Sequence, residues 1–497
     1  MSEDSPVAPI AVAPASTSSR KALGNSAILA SYYAIDAGML FLLNLLLARY
    51  LGLAGFGKFS FALSYGLILS ALDPGFQLIL TKFVARNPVI SNPWISGGIS
   101  IRVFMTGSLI LLGALPLFVQ GYLRSNAWLI LMVASSELLR SITLSYCAVL
   151  RGFQIMVWEP VIIGTERLTL LVSCWLLLRS GHGAMGVGTA FIAVRAAALT
   201  LAAWLFYARI GPVHLTLHPK VTSELIRESL PLATLSVADR IKLYLPSIVL
   251  AYTAGEAAVG LFQAASKIVV FPMLINGVVG AGIFPAMSAA VSSDGQAAKL
   301  YRYGVRMLWH VLLPCSVLTL FFAQPLIRLI FGAAYEPAAS ALRILTPFYL
   351  LNVIVTMSYY LMTAVNRQIL VMKLALLATA VNIVLGVVMM RFFGVQGAAF
   401  TLLLTDGLVA LAYWRSVAGL GIHVFRNRQD AYQWIGFLAS AVVCILVRRY
   451  APVEHWFSLL AMGVGITVTY AIFLLCTDGF LPEEIRLLSS LKTRVLG

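Results

Sequence analysis

Charge is what this sequence has least of. Of 497 residues only 11% are Asp, Glu, Lys or Arg, against 60% hydrophobic, and the mean hydropathy is +0.91. A soluble domain carries about 25% charged and about 45–50% apolar residues. A soluble globular enzyme is therefore excluded, as is disorder away from the ends. Cysteine is scarce as well. Cys147, Cys174, Cys315, Cys444 and Cys476 fall singly in apolar runs, with no C-x-x-C spacing and no histidine nearby. Neither a disulfide framework nor a metal site follows from them. No G-x-x-x-x-G-K-[ST] segment occurs, so a nucleotide-binding loop is missing. The apolar runs are continuous rather than alternating, which excludes the strands of a membrane barrel.

What is there is a series of runs long enough to cross a bilayer core of ~30 Å as helices. Fourteen are read, near 24–48, 59–81, 95–119, 127–150, 160–178, 185–208, 230–252, 259–287, 305–323, 341–364, 370–390, 396–417, 431–447 and 456–476. The fold class is all-α and polytopic. The Ser-, Ala- and Pro-rich start reads as a flexible cytoplasmic tail over 1–21 rather than a signal peptide. A second tail covers 478–497. Net charge is +16, from 35 basic and 19 acidic residues. With the N-terminus in the cytoplasm, about 20 basic residues lie on the cytoplasmic side and about 9 opposite, so the bias of Lys and Arg favours both ends inside. That role accounts for the basic excess, and no nucleic-acid partner is expected.

The chain repeats itself. The segment Ala48-Arg49-Tyr50-Leu51-Gly52-Leu53-Ala54-Gly55-Phe56-Gly57-Lys58-Phe59 joins spans 1 and 2, and 251–262 joins spans 7 and 8. A shift of 203 superposes five of twelve positions and lays Asp36 on Asp239 and Asp73 on Asn276. A six-span repeat keeps its topology, which gives an N-lobe over 22–210, a C-lobe over 225–420 and two further helices over 430–477. Transporters are often built from such repeats, with the substrate site between halves. Asp73-Pro74 and Asn276-Gly277, with Pro272, predict matching bends in spans 2 and 8.

An ionisable group at mid-bilayer costs about 2.5–3.5 kcal/mol even on insertion scales, so each is a candidate for function. Glu137 and Arg140 stand three apart and can pair along one face of span 4. Glu166 and Arg167 are adjacent and need partners elsewhere. Asp239 and Lys242 form either a pair or a cavity wall, and Arg240 points away from both. Arg195 on span 6 and Lys267 on span 8 have no acid nearby in sequence. Arg195, Arg240, Lys267, Lys242 and Arg140 are therefore the expected cavity cations. Asp36, Asp239 and Asp73 are the expected coupling or gating groups.

The pattern A-R-Y-L-G-x-x-x-F-G-x-F at 48–59 resembles the opening of the polysaccharide flippases of the MOP transporter superfamily. Also similar are Ser229-Leu230-Pro231-Leu232 leading to Asp239-Arg240, the segment 255–262, and Pro325–Gly332 followed by Tyr335. The resemblance runs from about 22 to 477. It implies a MATE-like scaffold of two six-helix lobes plus two C-terminal helices in a bacterial inner membrane. The implied activity is flipping of undecaprenyl-diphosphate-linked oligosaccharide units for O-antigen, exopolysaccharide or capsule assembly. Polymerase and chain-length proteins of that pathway are the implied partners. The related lipid II flippases share a basic residue in span 8, and Ala265-Ser266-Lys267-Ile268 leading to Pro272 matches that pattern with Lys for Arg. No cofactor, metal or bond-breaking chemistry is implied. The energy source stays open between a Na⁺ or H⁺ gradient and the pull of polymerisation. Two other readings stand beside this one. A MATE-like cation antiporter should have an acidic cavity. A membrane polymerase or ligase should carry a long external loop, whereas the longest here, 324–343, has only Arg328, Glu336 and Arg343 as charges.

Overall fold

The computed structural model describes residues 19–86, 92–114, 126–155, 157–212, 215–216, 219–292, 295–423, 428–450, 455–477 and 479–480. The tails expected at 1–21 and 478–497 fall almost wholly outside these residues. Among the described residues there are fifteen α-helices and no strand.

The first helix, α1 (Ser19–Leu69), has 51 residues, about 77 Å at 1.5 Å per residue and over twice the bilayer core. It is two spans joined at Gly52, where φ is 67° and ψ −177°. That geometry strains any residue with a Cβ, so glycine marks the bend. A 3₁₀ turn (Ser70–Leu72) and α2 (Asp73–Arg86) complete span 2, and the break falls beside Asp73-Pro74, as the sequence predicts. Then come α3 (Asn92–Gly113), α4 (Ala127–Gly152), α5 (Trp158–Arg179), α6 (Gly183–Arg209), α7 (Pro219–Thr253), α8 (Gly255–Ala289) and α9 (Gln296–Phe321). Two short helices, α10 (Ala323–Phe331) and α11 (Ala338–Leu345), lead to α12 (Phe348–Ala364). The 51-residue α13 (Gln368–Ala418) breaks at Gly394, φ 51°, and is again two spans. The chain closes with α14 (Arg428–Tyr450) and α15 (Trp456–Cys476).

Among the described residues, ten helices are long and apolar enough to cross a membrane, and α11 with α12, bent by 42°, makes an eleventh. Dividing α1 and α13 at their glycines, and adding α7, whose charges lower its hydropathy, reproduces the fourteen expected spans. Large apolar side chains such as Phe104, Leu111, Val384 and Phe392 lie on the outside, as a lipid-facing surface requires. The chain is a multi-pass membrane protein.

Packing divides it into two compact units, Met1–Gly260 and Leu261–Gly497. In the first, α7 packs on α1, α2 and α3. The sequence grouping puts this helix at the head of the lobe over 225–420. Its packing in the first unit has a physical cause. Leu225 belongs to the apolar cluster of Phe76, Ile79, Leu80, Phe83 and Ile99, and Glu228 holds Lys82 at 2.6 Å.

The repeat is also visible in the backbone. Gly52 and Gly255, which the shift of 203 superposes, both have positive φ, 67° and 83°. A methyl group on Gly57 would overlap the Glu256 carbonyl oxygen, and one on its mate Gly260 would overlap the Leu53 carbonyl oxygen. Leu53 and Glu256 are themselves mates at that shift. The two turns thus cross reciprocally, as in a contact between symmetry copies. Lys58 reaches Glu256 at 3.5 Å across the same crossing.

In the second unit, α9 packs on α12, α14 and α15, and α12 packs on α13. Its α8 runs unbroken through Pro272 and Asn276. The bend seen at 70–72 has no counterpart there as a break in the helix.

Candidate functional site

Four helices of the first unit each bring an ionisable side chain to one interior network. Arg195, at the middle of α6, is 2% exposed. Its Nη1 lies 2.7 Å from Glu137 and donates to Ser136 Oγ at 2.9 Å, and its Nε lies 3.5 Å from Glu166. The guanidinium also sits 4.8 Å from the centre of the Phe191 ring. Glu166 takes a second cation, Arg140, at 3.5 Å. Arg167 turns away from Glu166, as neighbours about 100° apart on a helix must, and donates to Asp36 Oδ1 at 2.7 Å. Sequence spacing allows a Glu137–Arg140 pair within span 4. In the fold, the shortest contact of Glu137 is to Arg195 of span 6, because the side chains converge across helices.

Beside this network lies a cavity of about 180 Å³ lined by Leu67, Ser70, Gln77, Glu137, Arg140, Ser141, Leu144 and Arg240. Arg240 Nη1 donates to the Leu67 carbonyl at 3.2 Å and to Ser70 Oγ at 3.3 Å. The last turn of a helix has carbonyls with no helical partner, and the 3₁₀ turn at 70–72 exposes them here. The bend in span 2 therefore fixes Arg240. An arginine has five N–H donors in a planar fork, so donors remain for the cavity. Among the described residues, Arg140, Arg167 and Arg195 meet three carboxylates, Asp36, Glu137 and Glu166, and Arg240 lines the cavity beside them.

The expected site residues separate on this geometry. Arg140 and Arg240 line the cavity. Arg195 is tied into the ionic network, and its acids come from α4 and α5, out of reach of any reading of span 6 alone. Asp36 is a partner of Arg167. Asp239 is exposed on α7 and Lys242 is half-buried there. The side chain of Asp73 lies outside the described residues. Lys267 is half-buried on α8 in the second unit. The sequence gives no sign of Gln77, Ser70 or Ser141 as cavity groups. Being neutral, they carry no membrane penalty large enough to single them out.

The second unit holds neutral polar pairs beside a few buried charges, among them Asp406 within α13. Asn276 donates to Asn352 at 2.9 Å, and Tyr301 meets Ser358 at 3.0 Å. Its ion pair, Arg306 with Asp430, joins α9 to the start of α14, and Arg306 also donates to the Gly479 carbonyl at 2.9 Å. His310 sits between Gln433 and the Tyr470 hydroxyl, a packed histidine. Arg306 is 3% exposed inside α9. The segment Pro325–Gly332 serves packing. Tyr335 is buried against Phe331, ring centres 5.7 Å apart, and loss of water pushes its hydroxyl above the usual tyrosine value.

Fold and interior together define a multi-pass, all-helical membrane architecture. The structure is similar to the lipid II flippase MurJ in its inward closed conformation, with TM-score 0.73 and 15% identity, covering 91% of this chain and 100% of that one. It is also similar to an inward-facing multidrug resistance MATE family transporter of the MOP superfamily, with TM-score 0.65 and 16% identity over 76% and 92% of the two chains. At these identities the likeness shows the fold, which these transporters share. In sequence the chain matches the polysaccharide biosynthesis protein family over residues 22–291, more than half its length, and it belongs to that family. It is 28% identical over 241 residues to the uncharacterized membrane protein EpsK of Bacillus subtilis (strain 168), 45% of this chain and 46% of that protein. The match thus spans about half the length of that relative.

Proposed function

We propose that the protein flips undecaprenyl-diphosphate-linked oligosaccharides across the inner membrane by alternating access, with the diphosphate held in the cavity between Arg140 and Arg240. The observation that carries this reading is the cavity itself. It sets two arginines beside the neutral donors Gln77, Ser70 and Ser141 in a chain with very little charge, and the carboxylate in its wall, Glu137, is already paired with Arg195. A diphosphate cannot leave water for a low-dielectric site unless cations replace its hydration. Two unit charges about 4 Å apart attract by roughly 4 kcal/mol at an effective dielectric near 20, and arginine can grip phosphate through two parallel bonds. The sugars need neutral donors and acceptors, which the amide and hydroxyls supply. Arg140 is shared with Glu166, so an arriving anion competes with that carboxylate and loosens α4 from α5. This coupling links loading to helix movement. Lys242 is assigned a supporting role as a cation for the same anionic cargo.

Asp36 is read as structural because Arg167 already neutralises it. A MATE-like antiport would need that pair to open in each cycle. Energy from the pull of polymerisation, with polymerase and chain-length proteins downstream, fits a closed pair better. Both ends of the chain are assigned to the cytoplasm, and a reporter fused at Thr216 should read cytoplasmic and one at Glu336 periplasmic.

The test is complementation of a flippase-null strain, scored beside protein abundance. Arg140→Gln and Arg240→Gln should each lower transport about tenfold or more, the equivalent of about 1.4 kcal/mol, at normal protein levels. Full activity of the double variant would show that the cargo is held elsewhere or carries no diphosphate.

A further inference from the structure

A second cavity of the first unit has the opposite character. It is an open trough of about 470 Å³ between the first arm of α1 and α5, with Leu42, Leu46, Val172 and Trp175 among its apolar walls. Arg49 and Tyr50 line it as well, and they sit just before the bend at Gly52. It shares no lining residue with the arginine cavity. Trp175 carries the Arg179 guanidinium 5.5 Å above its ring, and Arg179 ends α5. Spans 1 and 5 are both odd-numbered, so they cross the bilayer in the same direction. Their last residues, Arg49 and Arg179, therefore lie at the same face of the membrane. The trough has an apolar body and a cationic, aromatic rim.

From Leu42 to Arg49 the trough runs about 10 Å along α1, most of the ~15 Å depth of one hydrocarbon leaflet. It is a small fraction of an extended polyprenyl chain. Tyr and Trp sit at the headgroup level of a bilayer, and arginine reaches toward phosphate from there. A neutral or zwitterionic lipid would gain little from two guanidinium groups at one rim. An anionic one gains roughly 1 kcal/mol for each, a factor of about five in affinity.

We propose that this trough is a binding site for a glycerophospholipid with an anionic headgroup, one acyl chain lying against Leu42, Leu46 and Val172 and the phosphate held by Arg49 and Arg179. The lipid fills a groove that the two helices leave between them, so it acts as a wedge on the outer side of α1. The proposal is independent of which cargo the transporter carries.

Trp175 reports on the site directly. The full chain is placed in bilayer discs of phosphatidylcholine with increasing amounts of phosphatidylglycerol, and either lipid is brominated in its acyl chains to quench nearby tryptophan. The chain has nine tryptophans, so the signal of Trp175 is the difference between the wild type and Trp175→Phe. Its emission should be half-quenched at about 25-fold less brominated phosphatidylglycerol than brominated phosphatidylcholine, a factor of about five from each arginine. Arg49→Gln and Arg179→Gln should each reduce that preference, and both together should abolish it. Arg49→Lys should keep most of it and serves as the variant in which folding is undisturbed. Equal quenching by the two lipids in the wild type would reduce the trough to ordinary annular contact and overturn the proposal. So would an unchanged preference in the double Gln variant, or displacement of the brominated lipid by equimolar polyprenyl phosphate.

Discussion

The two compact units treat their buried polar groups in opposite ways. The first gathers four arginines and three carboxylates from different helices and keeps a cavity beside them. The second satisfies Asn276 with Asn352 and Tyr301 with Ser358, and among the described residues its buried charges, Asp406 within α13 and the Arg306–Asp430 pair where α9 meets α14, stand apart with no such cluster around them. The repeat sharpens the contrast at one position. Gln77 lines the cavity of the first unit. Its mate at the shift of 203 is Gly280, and there the Tyr360 ring occupies the space a side chain would need. Where one copy holds a polar group beside an opening, the other is filled with an aromatic ring. A duplicated scaffold can therefore keep chemistry in one half and solid packing in the other.

The largest test of this contrast is removal of a network charge. Arg195→Gln leaves Glu137 and Glu166 short of their shared cation. Breaking a buried pair from one side costs about 3–5 kcal/mol. Tyr301→Phe in the second unit removes one neutral hydrogen bond from the Ser358 hydroxyl and should cost about 1 kcal/mol. Thermal unfolding of the purified proteins in one detergent measures both. If Arg195→Gln proves no more costly than Tyr301→Phe, the first interior is not held by its ions, and the distinction between the units fails.

Next in size is the crossing of the two repeat turns. Gly57→Ala and Gly260→Ala each drive a methyl group into a backbone carbonyl, which cannot swing aside as a side chain can. Overpacking of this kind costs about 1–3 kcal/mol or more. Because the contact is reciprocal, the two losses should be similar, and the double variant should cost less than their sum, since one displacement of the turns relieves both clashes. Clearly unequal single losses would show that the resemblance of the turns does not extend to their mechanics.

Much of the fold is legible in the sequence because the bilayer imposes one period and one length on every span. Continuous apolar runs and the Gly52 and Gly255 turns suffice to locate fourteen spans and the repeat. The site is legible only in part. Charges stand out against an apolar background, so Arg140, Arg195 and Arg240 can be named. Their pairing cannot, because Arg195 finds its acids on α4 and α5, far away in sequence, and i,i+3 spacing points instead to Glu137 with Arg140. Gln77 and Ser141 carry no such signal, and neither does the trough between α1 and α5, whose leucines read as ordinary lipid-facing residues. The pairing of Arg306 is hidden for the same reason, since its partner Asp430 lies over a hundred residues on in the sequence.

The smallest expected effect concerns the seam that holds α7 in the first unit. Lys82 Nζ lies 2.6 Å from Glu228, with the two side chains 40% and 32% exposed. The distance alone suggests a strong bond. Exposure argues otherwise, since water screens both charges and two long side chains must be ordered to meet. The apolar cluster that Leu225 joins should dominate the seam. A double-mutant cycle of Lys82→Met and Glu228→Gln should give a coupling of about 0.2–1 kcal/mol, falling further at high salt, where the screening length shortens to about 3 Å at 1 M. Leu225→Ala, by contrast, should cost about 2–5 kcal/mol. A coupling that exceeds the Leu225 loss and ignores salt would mean that α7 is held by a dry ion pair, the same device as the interior of its unit. The contrast would then lie between a first unit held by ion pairs at its seams as well as its interior and a second unit with few of them, rather than between one cavity and its packed counterpart.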